Sequence, residues 1–126
     1  MSLRLSIIIP AYKVEDYIEK CIRSLEDQDI LKTEYEIIVT NDGSPDHSSE
    51  IVEKLQAEFS NLILINQPNQ GVSMARNNAI AIAKGKYILP IDPDDYVLPN
   101  TLGNALEQAA KSDLDVAAKV LIGLEG

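Results

Sequence analysis

The stretch LSIIIPAYKVEDYIEKCIRSL, residues 5–25, changes its pattern halfway along and so indicates a strand followed by a helix. Its first half is an apolar run rich in β-branched residues, which ends at Pro10. In its second half the apolar side chains recur at helical spacing, at Val14, Tyr17, Ile18, Cys21, Ile22 and Leu25. A strand without polar alternation is typical of a parallel sheet covered on both faces. The stretch therefore predicts one strand–helix unit of an α/β protein.

The same succession recurs along the rest of the chain. Apolar runs at 36–40, 62–65 and 87–91 predict three more strands. Helical periodicity lies between them, at 51–59 and more weakly at 75–83. Strands alternating with helices predict a mostly parallel sheet with right-handed crossovers and helices on both faces.

The C-terminal part of the chain continues this pattern only briefly. Pro99 fits the first turn of a helix whose apolar stripe is Leu102, Ala105, Leu106 and Ala109. A last apolar run, Val116 to Ile122, predicts a fifth strand. With neither a repeat nor a linker, residues 1–126 are expected to form a single domain, in which residues 1–3 and 125–126 fall outside the pattern and are expected to be foreign additions.

Composition limits the classes of function that the chain can serve. Its 126 residues include 45% hydrophobic and 25% charged residues and carry a net charge of −9, which argues against a nucleic-acid surface. The single cysteine, Cys21, excludes an internal disulfide, indicates a reducing compartment and predicts core packing. No apolar run is long enough to span a bilayer. Because the net charge of the chain is negative, an anionic ligand would need a metal ion to screen the repulsion.

The segment KYILPIDPDDYVLP, residues 86–99, places three carboxylates at the end of the fourth strand. Because Pro93 favours extended geometry before it, we expect Asp92 and Asp94 to face one side. Asp95 is expected to face away and to bond loop amides. Adjacent carboxylates disfavour each other's ionised form, and Mg²⁺ or Mn²⁺ completed by a diphosphate would compensate. The alternative is that this segment forms only a solvated turn and a helix cap.

Ligands of open α/β sheets bind at the carboxyl ends of the strands, which draws attention to the segment after the second strand. In residues 41–44, Asn-Asp-Gly-Ser, the carboxylate of Asp42 can accept a hydrogen bond from an N–H of a flat base such as uracil. The alternative is an Asx turn that leads into the next helix. His47, near the start of that helix, is expected to be exposed and to have no role in a site.

The segment after the third strand, residues 69–77, lies at a predicted helix start. Free amides at a helix N-terminus favour anions, and Arg76 offers a planar fork to a phosphate or a base. Pairing of Arg76 with a surface carboxylate is the alternative. Residues 10–12, Pro-Ala-Tyr, follow the first strand and belong to the same predicted edge.

Four ordered stretches carry a resemblance to a known family. They are LSIIIPAYKVEDYIEKCIRSL, EIIVTNDGSPDHS, NQPNQGVSMARNNAIAIAKGKYI and PIDPDDYVLPNTL. In this order and spacing, over residues 4 to 110, they closely resemble the nucleotide-binding half of family 2 glycosyltransferases, which have the Rossmann-like GT-A fold. The chain has Asn41 where the family commonly has Asp, and Pro93 at the variable position of the family's DXD motif.

The resemblance implies an inverting, hexosyltransferase-type enzyme that transfers a sugar from a nucleotide sugar, most often a UDP-sugar, to the hydroxyl of a sugar or lipid-linked acceptor. It implies nucleotide contacts at Pro10, Ala11, Tyr12, Asp42, Arg76 and Asp92. Of these, Asp42 matches the residue that reads the base, and Asp92 matches one that contacts the ribose or metal-bound water. Mg²⁺ or Mn²⁺ is expected on Asp94, with Asp92 beside it. A cytoplasmic place in bacterial polysaccharide or glycolipid assembly, at the inner membrane face, is also implied.

The family's general base lies tens of residues after the DXD motif, and nothing from Leu114 to Gly126 matches it. The fold is therefore expected to be truncated after that segment, binding donor without completing transfer. One alternative is a non-catalytic nucleotide-sugar-binding module. Another is a phosphatase of the haloacid dehalogenase type, with Asp92 as nucleophile. Against the phosphatase, the motif follows the fourth strand and Tyr96 stands where that family has Thr.

Overall fold

The computed structural model describes residues 3–112 and 124–125. A parallel sheet of four strands has the order β3-β2-β1-β4. Its strands are β1 (Leu3–Ala11), β2 (Tyr35–Asp42), β3 (Leu62–Gln67) and β4 (Gly85–Pro90). The helices are α1 (Ile18–Glu26), α2 (Ser48–Gln56), α3 (Val72–Ile82) and α4 (Leu102–Ser112). Two short strands, β5 (Tyr96–Val97) and β6 (Leu124–Glu125), form a separate antiparallel pair. The predicted parallel α/β sheet is confirmed.

Helices cover both faces of the sheet, as predicted. Alternate side chains of a strand point to opposite faces. Accordingly Ile7 and Ile37 belong to the larger core, to which α1, α2 and α4 contribute. Ile8 and Ile38 belong to a smaller core with Ala79 of α3. Cys21 of α1 is fully buried in the larger core, which confirms that it packs there.

The strand register brings the carboxyl ends of the strands together. Ala11 at the end of β1 pairs with Asn41 of β2, and Asn41 pairs with Asn66 of β3. On the other side of β1, the N–H of Ile91 donates to the oxygen of Ile8 at 3.0 Å, which extends the pairing of β4 past its last residue. The residues that follow each strand therefore emerge at one edge of the sheet.

The boundaries of α1 and α2 differ from the apolar pattern. The chain turns at Val14, whose oxygen accepts the N–H groups of Tyr17 and Ile18, and α1 begins only at Ile18. Helix α2 ends at Gln56, before the last apolar residue of its predicted stripe. The predicted fifth strand, 116–122, lies outside the described residues. Within the described part, no helix is both long enough and apolar enough to cross a bilayer.

Candidate functional site

A cavity of about 370 Å³ opens at the carboxyl edge of the sheet. It is lined by residues at or after the carboxyl ends of all four strands: Pro10, Ala11, Tyr12, Asp42, Asn69, Gly71, Val72, Asp92 and Pro93. This volume is in the range of small-molecule sites. Five of the six residues predicted to contact a nucleotide lie on its walls, and Arg76 does not.

Asp42, the last residue of β2, is 4% exposed and receives three hydrogen bonds from the protein. Its Oδ1 accepts the backbone N–H of Gln70 at 2.8 Å and the Nε2–H of Gln67 at 2.8 Å. Its Oδ2 accepts the N–H of Gly71 at 3.0 Å. The bond from Gln70 lowers the pKa of Asp42 most; burial opposes the shift, and Gln67 and Gly71 add to it. The carboxylate is therefore held ionised and fixed in direction.

A close approach of two loops makes this arrangement possible. Gly43, next to Asp42, has φ +67°, and a Cβ there would lie 2.6 Å from the backbone nitrogen of Asn69. Glycine tolerates both the left-handed backbone and the contact. The side chain of Asn69 donates to the oxygen of Asp42 at 3.1 Å. The loop from β3 to α3 is thus fastened onto the end of β2.

The turn after β2 is formed by residues other than Asp42. Oδ1 of Asn41 accepts the N–H of Ser44 at 3.1 Å. Asp46 then accepts the N–H of Ser48 at the start of α2, the hydroxyl of Ser44, and the N–H of Glu15 in the loop after β1. Although burial alone would raise its pKa, the hydrogen bonds led by those from Ser44 and Ser48 lower the pKa of Asp46 to about 2. The turn anticipated as the alternative role of Asp42 therefore belongs to Asn41 and Asp46.

Asp46 was not identified from the sequence, although Asp often accepts the backbone N–H two residues further on near a helix start. His47 is exposed near the start of α2, as expected. Its Nδ1 lies 3.2 Å from Oε1 of Glu50, and the hydrogen bond with Glu50 raises the pKa of His47.

The acidic segment, residues 92–95, brings three carboxylates together. Asp92, Asp94 and Asp95 each place one carboxylate oxygen within 4.8 Å of the others. Asp92 and Asp94 are exposed, whereas Asp95 is half-buried. The expectation that Asp95 faces away was wrong: its N–H donates to the oxygen of Asp92 at 3.0 Å, so the segment is a turn that folds Asp95 back.

Three carboxylate oxygens at these distances fit the preference of Mg²⁺ and Mn²⁺ for hard oxygen ligands. Burial, followed by the charges of Asp94 and Asp92, raises the pKa of Asp95. Burial, followed by the charges of Asp95, Asp94 and Asp92, raises the pKa of the Cys21 thiol to about 12. The segment thus concentrates negative charge around Asp92, which lines the cavity.

Arg76 of α3 lies beside this segment, and its Nη2 is 3.6 Å from Oδ1 of Asp92. Both side chains are substantially exposed, so the pair adds little to stability. The Nε of Arg76 is buried and has no hydrogen-bond partner among the described residues. Arg76 therefore pairs with a carboxylate, which was the alternative to its binding of a phosphate or base. The carboxylate is Asp92, which itself belongs to the predicted site.

Comparison with known proteins places these features in a family. The family model described as glycosyl transferase family 2 matches residues 6–122. The uncharacterized glycosyltransferase EpsJ of Bacillus subtilis (strain 168) is 43% identical over 111 residues, which are 88% of this chain and 32% of EpsJ. Poly(ribitol-phosphate) beta-glucosyltransferase of Bacillus spizizenii is 36% identical over an alignment of 126 positions, which covers 98% of this chain and 20% of that protein.

Solved structures agree with these relatives. S. aureus TarS 1-349 in complex with UDP-GlcNAc gives a TM-score of 0.81 at 36% identity, over 86% of this chain and 32% of that chain. The same TarS segment has been solved in complex with UDP. The predicted GT-A fold is confirmed by this likeness. The chain spans about a third or less of the length of these relatives.

Proposed function

Since this chain belongs to glycosyl transferase family 2, we propose that it is the donor-binding domain of an inverting, hexosyltransferase-type enzyme that uses a UDP-sugar and Mn²⁺ or Mg²⁺. The proposal rests on a single cavity that Asp42 and the acidic segment share. An ionised, internally bonded Asp42 lines one part of its wall, and Asp92 of the acidic segment lines another. A nucleotide diphosphate has both a base and a charged end to match them.

The base is proposed to bind at the Asp42 end. Oδ2 of Asp42 accepts one bond from the protein, which leaves it capacity for a further donor, such as the ring N–H of uracil. Tyr12 lines the same cavity with 42% of its surface exposed and offers an aromatic face for stacking. TarS, which is similar in fold and 36% identical, binds UDP and UDP-GlcNAc.

The diphosphate is proposed to lie at the acidic segment. Asp94 and Asp92 would hold the divalent ion, and the position of Asp95 makes it a third candidate ligand. The ion supplies Lewis-acid neutralisation of the leaving diphosphate. Arg76, beside Asp92, adds a positive charge that is placed to meet a phosphate oxygen.

The acceptor side of the reaction is proposed to come from another part of a longer protein. The chain spans about a third or less of the relatives named above. Among the described residues we assign no general base to deprotonate the hydroxyl of the sugar or lipid-linked acceptor. The 126-residue chain is therefore expected to bind the donor and not to transfer it.

Calorimetric titration of the chain with UDP, ADP, GDP and CDP, each with Mn²⁺ and with a chelator, tests the proposal. We expect UDP to be preferred, and its affinity to fall about tenfold or more without metal, which corresponds to about 1.4 kcal/mol. Asp94→Ala should abolish the metal dependence. Glu53→Ala, which removes an exposed carboxylate of α2, is the control and should leave the metal dependence intact. Equal binding of all four nucleotides, indifferent to metal, would contradict the proposal.

A further inference from the structure

We propose that Cys21, Ser24 and Gln28 are positioning residues for the acidic segment. Their side chains hold it in its metal-binding shape through hydrogen bonds to its backbone and to the backbone of the residues that follow it. The inference rests on the proposed function, in which that segment binds a divalent ion. Cys21 and Ser24 are three residues apart and so share one face of α1. Gln28 follows just beyond the end of the same helix.

The first two residues hydrogen-bond the backbone at the start of the acidic segment and two residues after its end. The Sγ–H of Cys21 donates to the backbone oxygen of Asp92 at 3.8 Å. The Oγ of Ser24 accepts the N–H of Val97 at 3.0 Å while it donates to the oxygen of Cys21 at 2.7 Å. A single turn of α1 thus fixes the backbone before and after the carboxylates of Asp94 and Asp95.

Gln28 fixes the chain where it leaves the segment. Its Nε2–H donates to the oxygen of Leu98 at 2.9 Å. Its Oε1 accepts the N–H groups of Thr101 and Leu102 at 2.9 and 3.0 Å, so that a residue distant in sequence caps α4. Asp29 adds a bond from the N–H of Gly103 at 2.8 Å.

Backbone support matters here because the carboxylates repel one another. Within residues 3–112, no side-chain donor bonds the carboxylates of Asp94 and Asp95 in the structure. The turn is therefore kept closed through its main chain. Groups that orient metal ligands in this way typically change metal affinity by about 10- to 100-fold when they are removed.

Ser24 provides the sharpest test, because Ser24→Ala removes one hydroxyl and leaves the metal ligands in place. Mn²⁺ affinity is measured on the 126-residue chain by the loss of the free-ion electron paramagnetic resonance signal, with thermal denaturation run without metal. We expect Ser24→Ala to weaken Mn²⁺ binding roughly tenfold or more. Ser24→Thr, which keeps a hydroxyl, should restore most of that affinity. Ser49→Ala, a half-buried serine of α2, is the matched control and should have no effect.

The outcomes separate this inference from the proposed function. A wild-type chain that binds neither Mn²⁺ nor UDP overturns both. A wild-type chain that binds Mn²⁺ while Ser24→Ala binds it equally well overturns only the positioning role. That role is also overturned if Ser24→Ala loses Mn²⁺ affinity only together with its UDP preference over CDP and its thermal stability, since the serine would then serve the fold as a whole.

Discussion

The two acidic regions of the cavity are built in opposite ways. Asp42 is 4% exposed and accepts three hydrogen bonds from neighbouring loops. The side chain of Asp92 is 62% exposed and has one ion pair, at 3.6 Å, with Arg76. The protein itself compensates the charge of Asp42, whereas it leaves the acidic segment largely uncompensated.

This difference indicates two uses of a carboxylate. A carboxylate held by internal donors keeps one direction and stays ionised, which suits recognition of a fixed donor on a ligand. A cluster of close carboxylates without donors is unfavourable until a cation arrives. The first region is therefore part of the fold, and the second is expected to depend on a ligand for its stability.

The largest expected effect is on folding stability at the Asp42 end. Asp42→Ala leaves the donors of Gln67, Gln70 and Gly71 without their acceptor, which should lower the free energy of unfolding by about 3 kcal/mol. Asp94→Ala should change it by no more than about 0.5 kcal/mol. Urea denaturation in the presence of chelator measures both. Equal losses in the two variants would remove the contrast between the regions.

The next effect concerns the metal. Mn²⁺ at 100 times its dissociation constant should raise the free energy of unfolding of the wild type by about 2.7 kcal/mol. Asp94→Ala should lose this gain, because it removes a proposed ligand, while Asp42→Asn should keep most of it. The melting temperature with and without Mn²⁺ provides the measurement. A gain that survives in Asp94→Ala would place the ion elsewhere.

A smaller effect is expected from Gln67→Glu, which nearly preserves shape but replaces a donor to Asp42 with a like charge. We expect a stability loss of about 1–2 kcal/mol and a weaker preference for UDP over CDP, measured by denaturation and calorimetry. Gln56→Glu is the control, because Gln56 also donates through Nε2, but to the backbone oxygen of Leu62. A matching change of base preference in both variants would contradict a special role for Gln67.

The pH dependence of stability should come from the internally bonded carboxylates. In the folded protein the pKa of Asp46 is lowered from 3.8 to about 2, so the unfolded chain binds more protons between these values. The stability that Asp46 contributes is therefore complete above pH 3.8 and is lost as the pH falls toward 2. Urea midpoints at several pH values should decline less steeply for Asp46→Asn. An unchanged slope would show that its hydrogen bonds do not persist in solution.

Much of the site could be predicted from the sequence because parallel strands end at one edge. Pro10, Ala11, Tyr12, Asp42 and Asp92 each follow or end an apolar run, and all five line the cavity. The position of Asp95 could not be predicted from alternation, because a hydrogen bond from its own N–H to Asp92 turns the chain. That bond replaces the extended geometry on which the expectation rested.

The supporting contacts were beyond sequence reasoning for a different reason. Gln67 meets Asp42 across 25 residues of chain, and Ser24 meets Val97 across 73. Neither Gln67 nor Ser24 lies in a local sequence pattern that indicates its partner. Such pairs exist only once the sheet register and the helix packing are fixed.

By itself, the sequence determined the order of strands and helices and the edge of the sheet at which polar residues collect, because apolar periodicity reflects burial, which is a local property of each element. Only the tertiary structure decided which carboxylate receives internal donors and which three are left close together. That choice depends on loops separated in sequence, and their hydrogen bonds form when the packed sheet brings them within about 3 Å.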